Sequence, residues 1–155
     1  MCGFMVCWQR PVAAAVRERI TRECLPGLRH RGPDETGSFA DDTVVMHFHR
    51  LQIIDLTPAG RQPMHDVDGR WVLVFNGEIY NYRELAAQYA LPRRRGHADS
   101  EVLVELFARR GPDLVNELRG MYAFIIYDRV RGTLFAARDR FGIKPLYYTA
   151  VDGGW

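Results

Sequence analysis

Residues 2–8, CGFMVCW, alternate strictly: Cys2, Phe4 and Val6 fall on one face and Gly3, Met5 and Cys7 on the other, the period of a β-strand. From Pro11 to Cys24 the period changes, with Val12, Val16 and Ile20 at helical spacing, and Pro26-Gly27 is predicted to end that helix. The stretch LRHRGPDETG, 28–37, has no apolar period and reads as a loop around a Gly-Pro-Asp turn. Thr43 to Arg50 is β-branched and aromatic, a strand that runs on through LQIIDL into a loop at Thr57–Gly60. Arg70–Phe75 is a further strand leading directly into Asn76-Gly77. That pair usually signals a tight turn after a strand, because both residues tolerate positive φ.

The second half predicts a short helix at Tyr82–Tyr89 and a basic loop at Leu91–Gly96. Ser100 is placed to N-cap a helix over Glu101–Arg110 that buries Val102, Leu103, Leu106 and Phe107, with Gly111-Pro112 stopping it. A helix at Asp113–Leu118 precedes three strands: Met121–Tyr127, Thr133–Arg138 and Leu146–Ala150. Asp128–Gly132 turns the first pair. Runs of strands and then helices, without βαβ alternation, predict an α+β fold with largely antiparallel sheets. Val151–Trp155 reads as a hairpin turn leading into a strand that does not follow. One domain over 1–155, truncated at its C-terminus, is therefore expected.

Composition narrows the function classes. At 155 residues, 47% hydrophobic and 26% charged, the chain can build a globular core, and no run of ~18 apolar residues offers a membrane span. A net charge of +2 is too small to argue for nucleic acid or an anionic membrane surface. Lys144 is the only lysine, and Arg93-Arg94-Arg95 is the only concentrated charge, read as a solvated loop. Three cysteines, Cys2, Cys7 and Cys24, without a signal peptide fit free thiols in a reducing cytoplasm. Zinc is the rival use, but neither paired CxxC nor HxxxH spacing accompanies them.

Cys2 directly follows the initiator methionine, which is usually trimmed before a small side chain. The exposed residue then carries both a thiol and an α-amine. With a reference pKa of ~7.7–8.0, that amine can accept the thiol proton directly or through one water. The competing reading is a small buried hydrophobe.

Seven stretches then occur in one order: Met1-Cys2-Gly3, RHRGPD (29–34), RLQIIDL (50–56), FNGEIYNYREL (75–85), ADSEV (98–102), LRGMYAFIIYD (118–128) and ARDRFGIKPLYY (137–148). The series resembles the N-terminal glutaminase domain of class II glutamine amidotransferases, in the branch of glutamine-dependent asparagine synthetases. The resemblance implies an N-terminal-nucleophile (Ntn) hydrolase fold, a four-layer αββα sandwich of two antiparallel sheets. It implies Cys2 as the nucleophile and Asn76 with Gly77 as the oxyanion donors. Arg50 would hold the glutamine α-carboxylate and Asp99 the α-ammonium. Segments at Leu51, Ile53, Ile54 and Glu78 would line the pocket.

There are departures from the family pattern. Ala98 stands where a small polar residue is usual, so a supporting hydrogen bond is missing, and no synthetase half or phosphate loop is present in these residues. The charged motifs at Arg29–Asp34 and Arg138–Arg140 are expected to be structural. No metal and no cofactor are expected in this chain, with ATP and magnesium confined to the synthetase half. The expected partners are L-glutamine and a synthetase domain or subunit receiving ammonia, with aspartate as the acceptor. Neither nucleic acid nor membrane is expected, and a homodimer is left open. Three alternatives stand beside this: a truncated module that binds glutamine or a partner without turnover, an amidotransferase for a secondary-metabolite acid, and the sugar-phosphate amidotransferase group. A peptidase is disfavoured, because Arg50 and Asp99 together select a free amino acid.

Overall fold

The computed structural model describes residues 2–91, 96–150 and 154–155. Strands β1 (Gly3–Trp8), β2 (Glu35–Ala40) and β3 (Val44–Arg50) form one antiparallel sheet in the order β1-β3-β2. Strands β4 (Met64–His65), β5 (Trp71–Ile79), β6 (Gly120–Asp128) and β7 (Thr133–Arg138) form a second, antiparallel and in sequence order.

Period-two alternation sorts the side chains into three packed layers. Between the sheets, Cys2, Phe4 and Val6 at β1 and Val44, Met46 and Phe48 of β3 meet Val72 and Val74 of β5 and Tyr127 of β6. Behind the first sheet, Met5, Cys7 and Val45 pack under Val12, Val16 and Ile20 of the N-terminal helical layer. Behind the second sheet, Leu73, Phe75, Phe124 and Ile126 pack under Leu85 and a row of α4 residues. Here α1 is Ala14–Arg19, α2 Leu25–Leu28, α3 Tyr82–Gln88 and α4 Asp99–Arg110. The result is the expected α+β arrangement, two antiparallel sheets between helices.

Several local expectations are corrected. Pro26-Gly27 does not end the first helix: α1 passes through a π-helical turn at Ile20–Cys24 into α2. Pro26 sits in the first turn of α2, where its missing N–H costs little. The stretch 28–37 holds a 3-10 turn at Arg29–Arg31 and the start of β2. β2 is an edge strand whose only large apolar residue is Phe39, the rest being small or polar, half-buried and exposed in alternation, so its hydrophobic signature is weak. The two-residue β4 was equally silent. Asn76-Gly77 makes no turn, since β5 runs through both to Ile79. Ser100 is not the cap of α4: Ala98 is, and the helix begins at Asp99. The helix expected at Asp113–Leu118 is a 3-10 turn at Gly111–Asn116. Leu146–Ala150 pairs with no strand among the described residues, and Tyr147 and Tyr148 are exposed. The turn at Asp128–Gly132 forms as expected, with the Gly132 N–H donating to the Asp128 carbonyl at 2.7 Å. The Arg93–Arg95 triplet and residues 151–153 of the turn expected at Val151–Trp155 lie outside the described residues. No described helix is long and apolar enough to cross a membrane.

Beneath the N-terminal helical layer lie His47 and His49, both buried. His47 Nε2 and both ring nitrogens of His49 meet no hydrogen-bond partner among the described residues. Burial, reinforced by His49, holds the His47 imidazole below its ordinary pKa. The unfolded chain thus takes up a proton near pH ~6.5 that the folded one resists, so stability falls as pH drops below that value. Urea unfolding at pH 7.5 and 5.5 should show a larger acid-side loss in the parent than in His47→Leu. Equal losses would refute the assignment.

Candidate active site

The inter-sheet core changes character at one end. Along each inward-facing ladder the last side chain is polar: Phe4 gives way to Cys2, Phe48 to Arg50, and Val74 to Asn76. These ends enclose a cavity of about 180 Å3. All nine residues implicated by sequence border it: Cys2, Arg50, Leu51, Ile53, Ile54, Asn76, Gly77, Glu78 and Asp99. Ile53 and Ile54 lie at its open rim, Ile53 being 70% exposed.

The Cys2 thiol sits against the main chain just past β3. It accepts from the Leu51 N–H at 3.4 Å and lies 3.6 Å from the Leu51 carbonyl. Leu51 therefore holds the sulfur with both its peptide groups. Burial pushes the thiol pKa up, while the Leu51 N–H and the Arg50 charge oppose the rise. A thiol in this setting needs a neighbouring base to become a nucleophile.

Gly77 owes its place to packing. A Cβ there would strike the Met121 carbonyl oxygen and come within 2.7 Å of Tyr122 Cα, so only glycine allows β6 this close. Its N–H points away from β6. The register partner Tyr122 directs its own peptide groups to Asp139, so Gly77 and Tyr122 form a non-hydrogen-bonded pair. The open edge of β5 therefore carries the peptide groups of Phe75, Gly77 and Ile79. Phe75 is engaged by Gln62 and Ile79 by Asp99, while the Gly77 N–H finds no acceptor among the described residues. The buried Asn76 carboxamide, on the face that looks toward Cys2, also lacks a described partner.

Opposite charges flank these donors. The Arg50 guanidinium is buried; Nη1 donates to Glu35 Oε2 and the Thr57 carbonyl, both at 3.0 Å, and Nη2 donates to the Asp55 carbonyl. Its Nε–H meets no acceptor among the described residues and Nη2 has a second N–H beyond the one given to Asp55, so the guanidinium keeps donors for a carboxylate. Asp99, at the start of α4, accepts from the Ile79 N–H at 2.8 Å and the Ser100 N–H at 2.9 Å. Burial outweighs these bonds, and with Glu78 nearby it lifts the carboxyl pKa to about 6. No cation pairs with this carboxylate among the described residues.

The cavity also contains residues that sequence reasoning passed over. Gln62 and Met121 give no local signal, because their neighbours at the site are remote in the chain. Lys144, the only lysine of the chain, is buried in the cavity wall. Ala98 lines the wall and caps α4 without a side-chain bond. The charged motifs do hold loops. Asp34 accepts from the Gln52 N–H at 2.8 Å, and Arg138 donates to the Lys144 carbonyl at 2.9 Å. Among the described residues no group of three or more His, Cys, Asp or Glu could hold a metal ion.

Two antiparallel sheets between helices, with a thiol, a peptide donor and a split charge pair at one end, define an Ntn-hydrolase-like domain. The chain belongs to the glutamine amidotransferase domain family, whose pattern matches residues 1–155. It is related to the glutamine-hydrolysing asparagine synthetases. It is 40% identical to asparagine synthetase [glutamine-hydrolyzing] 1 of Bacillus subtilis, over 98% of this chain and 24% of that protein. Identity is also 40% to asparagine synthetase B of Escherichia coli, over 95% and 26%. A fungal relative, amidase chry2 of Gibberella zeae, is 44% identical over 79% and 19%. The chain thus spans about a quarter or less of the length of these curated relatives.

The packing at Gly77 has a direct consequence. Gly77→Ala must push β5 from β6, and urea denaturation should show a loss of about 1–3 kcal/mol. A variant as stable as the parent would show that close approach of β6 is not what requires glycine.

Proposed function

We propose that this domain hydrolyses glutamine to glutamate and ammonia with Cys2 as nucleophile. We further propose that the ammonia serves ATP-dependent amidation of a carboxylate, aspartate to asparagine, in a synthetase domain or subunit. One observation carries the reading: a thiol, an unpaired strand-edge N–H, a cationic fork and a buried carboxylate border a single cavity.

In the proposed reaction Met1 is removed, and the α-amine of Cys2 takes the thiol proton. The sulfur attacks the side-chain amide carbon of glutamine, and negative charge develops on the amide oxygen. The Gly77 N–H and the Asn76 carboxamide are the donors available to receive it. The C–N bond then breaks, the proton held by the amine passes to the leaving nitrogen, and ammonia departs. Water cleaves the resulting thioester, giving glutamate and restoring the thiol. The free edge of Arg50 suits the substrate α-carboxylate and Asp99 its α-ammonium. A glutamine inside a peptide lacks both charges and gains neither contact.

The acceptor is chosen outside this chain. Two fungal relatives are named amidases, chry2 and chyE, which supports a second form of the reading, with ammonia delivered to a different acid by the same half-reaction.

Cys2→Ala should abolish ammonia release while glutamine still binds, and Asn76→Ala should lower kcat by roughly 10²–10³-fold. Unchanged hydrolysis in Cys2→Ala would remove the nucleophile, and a parent that binds glutamine without turnover would favour a non-catalytic module.

The Asp99 carboxyl, at about 6, adds a pH dependence. Below that pH it is protonated and cannot pair with an ammonium, so kcat/KM for glutamine should show a second, steeper limb on the acid side of about pH 6, beyond the fall that protonation of the Cys2 α-amine causes at higher pH. In Asp99→Asn kcat/KM should be low throughout, without that limb. Persistence of the limb in the variant would assign it to another group.

A further inference from the structure

β4 stops pairing with β5 at Leu73, yet the open edge of β5 continues through Phe75, Gly77 and Ile79. At Phe75 a side chain replaces the missing strand. Gln62 Oε1 accepts from the Phe75 N–H at 2.6 Å and Gln62 Nε2 donates to the Phe75 carbonyl at 3.3 Å. One carboxamide thus supplies the acceptor and the donor that a neighbouring strand would otherwise offer. Gln62 is buried and borders the cavity holding Cys2. Its main-chain carbonyl packs against Gly37 of β2, where a Cβ would not fit, so the residue is held from both sheets.

A strand in this place would have continued and paired with Gly77 as well. A side chain ends the pairing after one residue. The Gly77 peptide is then held between two anchored neighbours on the same edge, Phe75 by Gln62 and Ile79 by Asp99, with its own N–H unpaired.

We infer that Gln62 is a positioning residue for the Gly77 N–H, fixing the direction of β5 so that this donor stays free and aimed into the cavity. The catalytic consequence rests on the glutaminase reading proposed above; the geometry does not.

The test uses the full chain and two variants. Gln62→Met nearly keeps the volume and removes both bonds, whereas Gln62→Glu keeps an acceptor for the Phe75 N–H. In Gln62→Met, amide hydrogen exchange at Phe75 should accelerate about tenfold or more and the Gly77 amide cross-peak should move in a 1H–15N spectrum, while the β6 amides of residues 123–127 keep their exchange rates. For glutamine hydrolysis, kcat should fall about tenfold or more with KM within about twofold, because the donor acts on charge present only in the transition state. Affinity for the aldehyde analogue of glutamine, whose adduct with a thiol carries the reacting oxygen, should fall with kcat. Gln62→Glu should recover part of each loss.

Unchanged kcat in a folded Gln62→Met protein would overturn the inference. So would a parallel loss in kcat, glutamine affinity and β6 protection, which would mean general loosening. A parent that releases no ammonia would sink the glutaminase reading instead. The spectroscopic result would then decide alone: faster exchange at Phe75 with a displaced Gly77 amide cross-peak supports positioning, and a Gly77 amide that does not move refutes it.

Discussion

The unpaired edge of β5 beyond Leu73 is the constraint around which the site is built. Buried peptide groups must find partners, and here the partner strand ends after two residues. The Phe75 groups go to a carboxamide from the preceding loop and the Ile79 N–H goes to a carboxylate at the start of α4. Gly77 lies between them and lines the cavity, its N–H facing away from β6 and without an acceptor among the described residues. The same accounting explains why Gln62 and Asp99 are buried: each completes a strand edge with its side chain while standing in the cavity wall.

The hydrophobic core serves this arrangement by holding its walls. Inward ladders of Val, Met and Phe pack between the sheets and set the separation at which their polar ends face one another. Burying those ends is costly unless they are paired. Arg50 is compensated by Glu35 and two loop carbonyls. Asp99 receives peptide N–H groups and pairs with no cation among the described residues, and burial with the nearby Glu78 raises its pKa.

The acidic residues divide by environment. Asp139 accepts four main-chain N–H groups, from Tyr122, Phe141, Ile143 and Lys144, and these hold its pKa below the ordinary range despite burial. Asp55 is driven to about 2 against the effect of burial by the Thr57 hydroxyl and the N–H groups of His97 and Thr57. Both are saturated loop organisers. Asp99 keeps capacity for a ligand, a difference that the letter D in a sequence does not convey.

Much was legible in the chain alone. Alternation at 2–8 sorted its side chains onto the two faces that the structure shows, because a strand with both faces packed keeps a period of two, and all nine residues to which the motif series pointed border the cavity. Elements with a weak hydrophobic signature were hidden: β2 is an edge strand with Phe39 as its one large apolar residue, and β4 is only two residues long. Asn76-Gly77 looked like a turn because local propensity favours one. The close approach of β6, a contact with residues more than forty positions away, makes it a strand that requires glycine. Sequence thus determined which residue types are present and how the first strand sorts its side chains onto two faces. Only the tertiary structure decided that Gln62 would end the ladder at Phe75 and leave the next peptide unpaired, since hydrogen-bond competition along an edge depends on what the fold brings beside it.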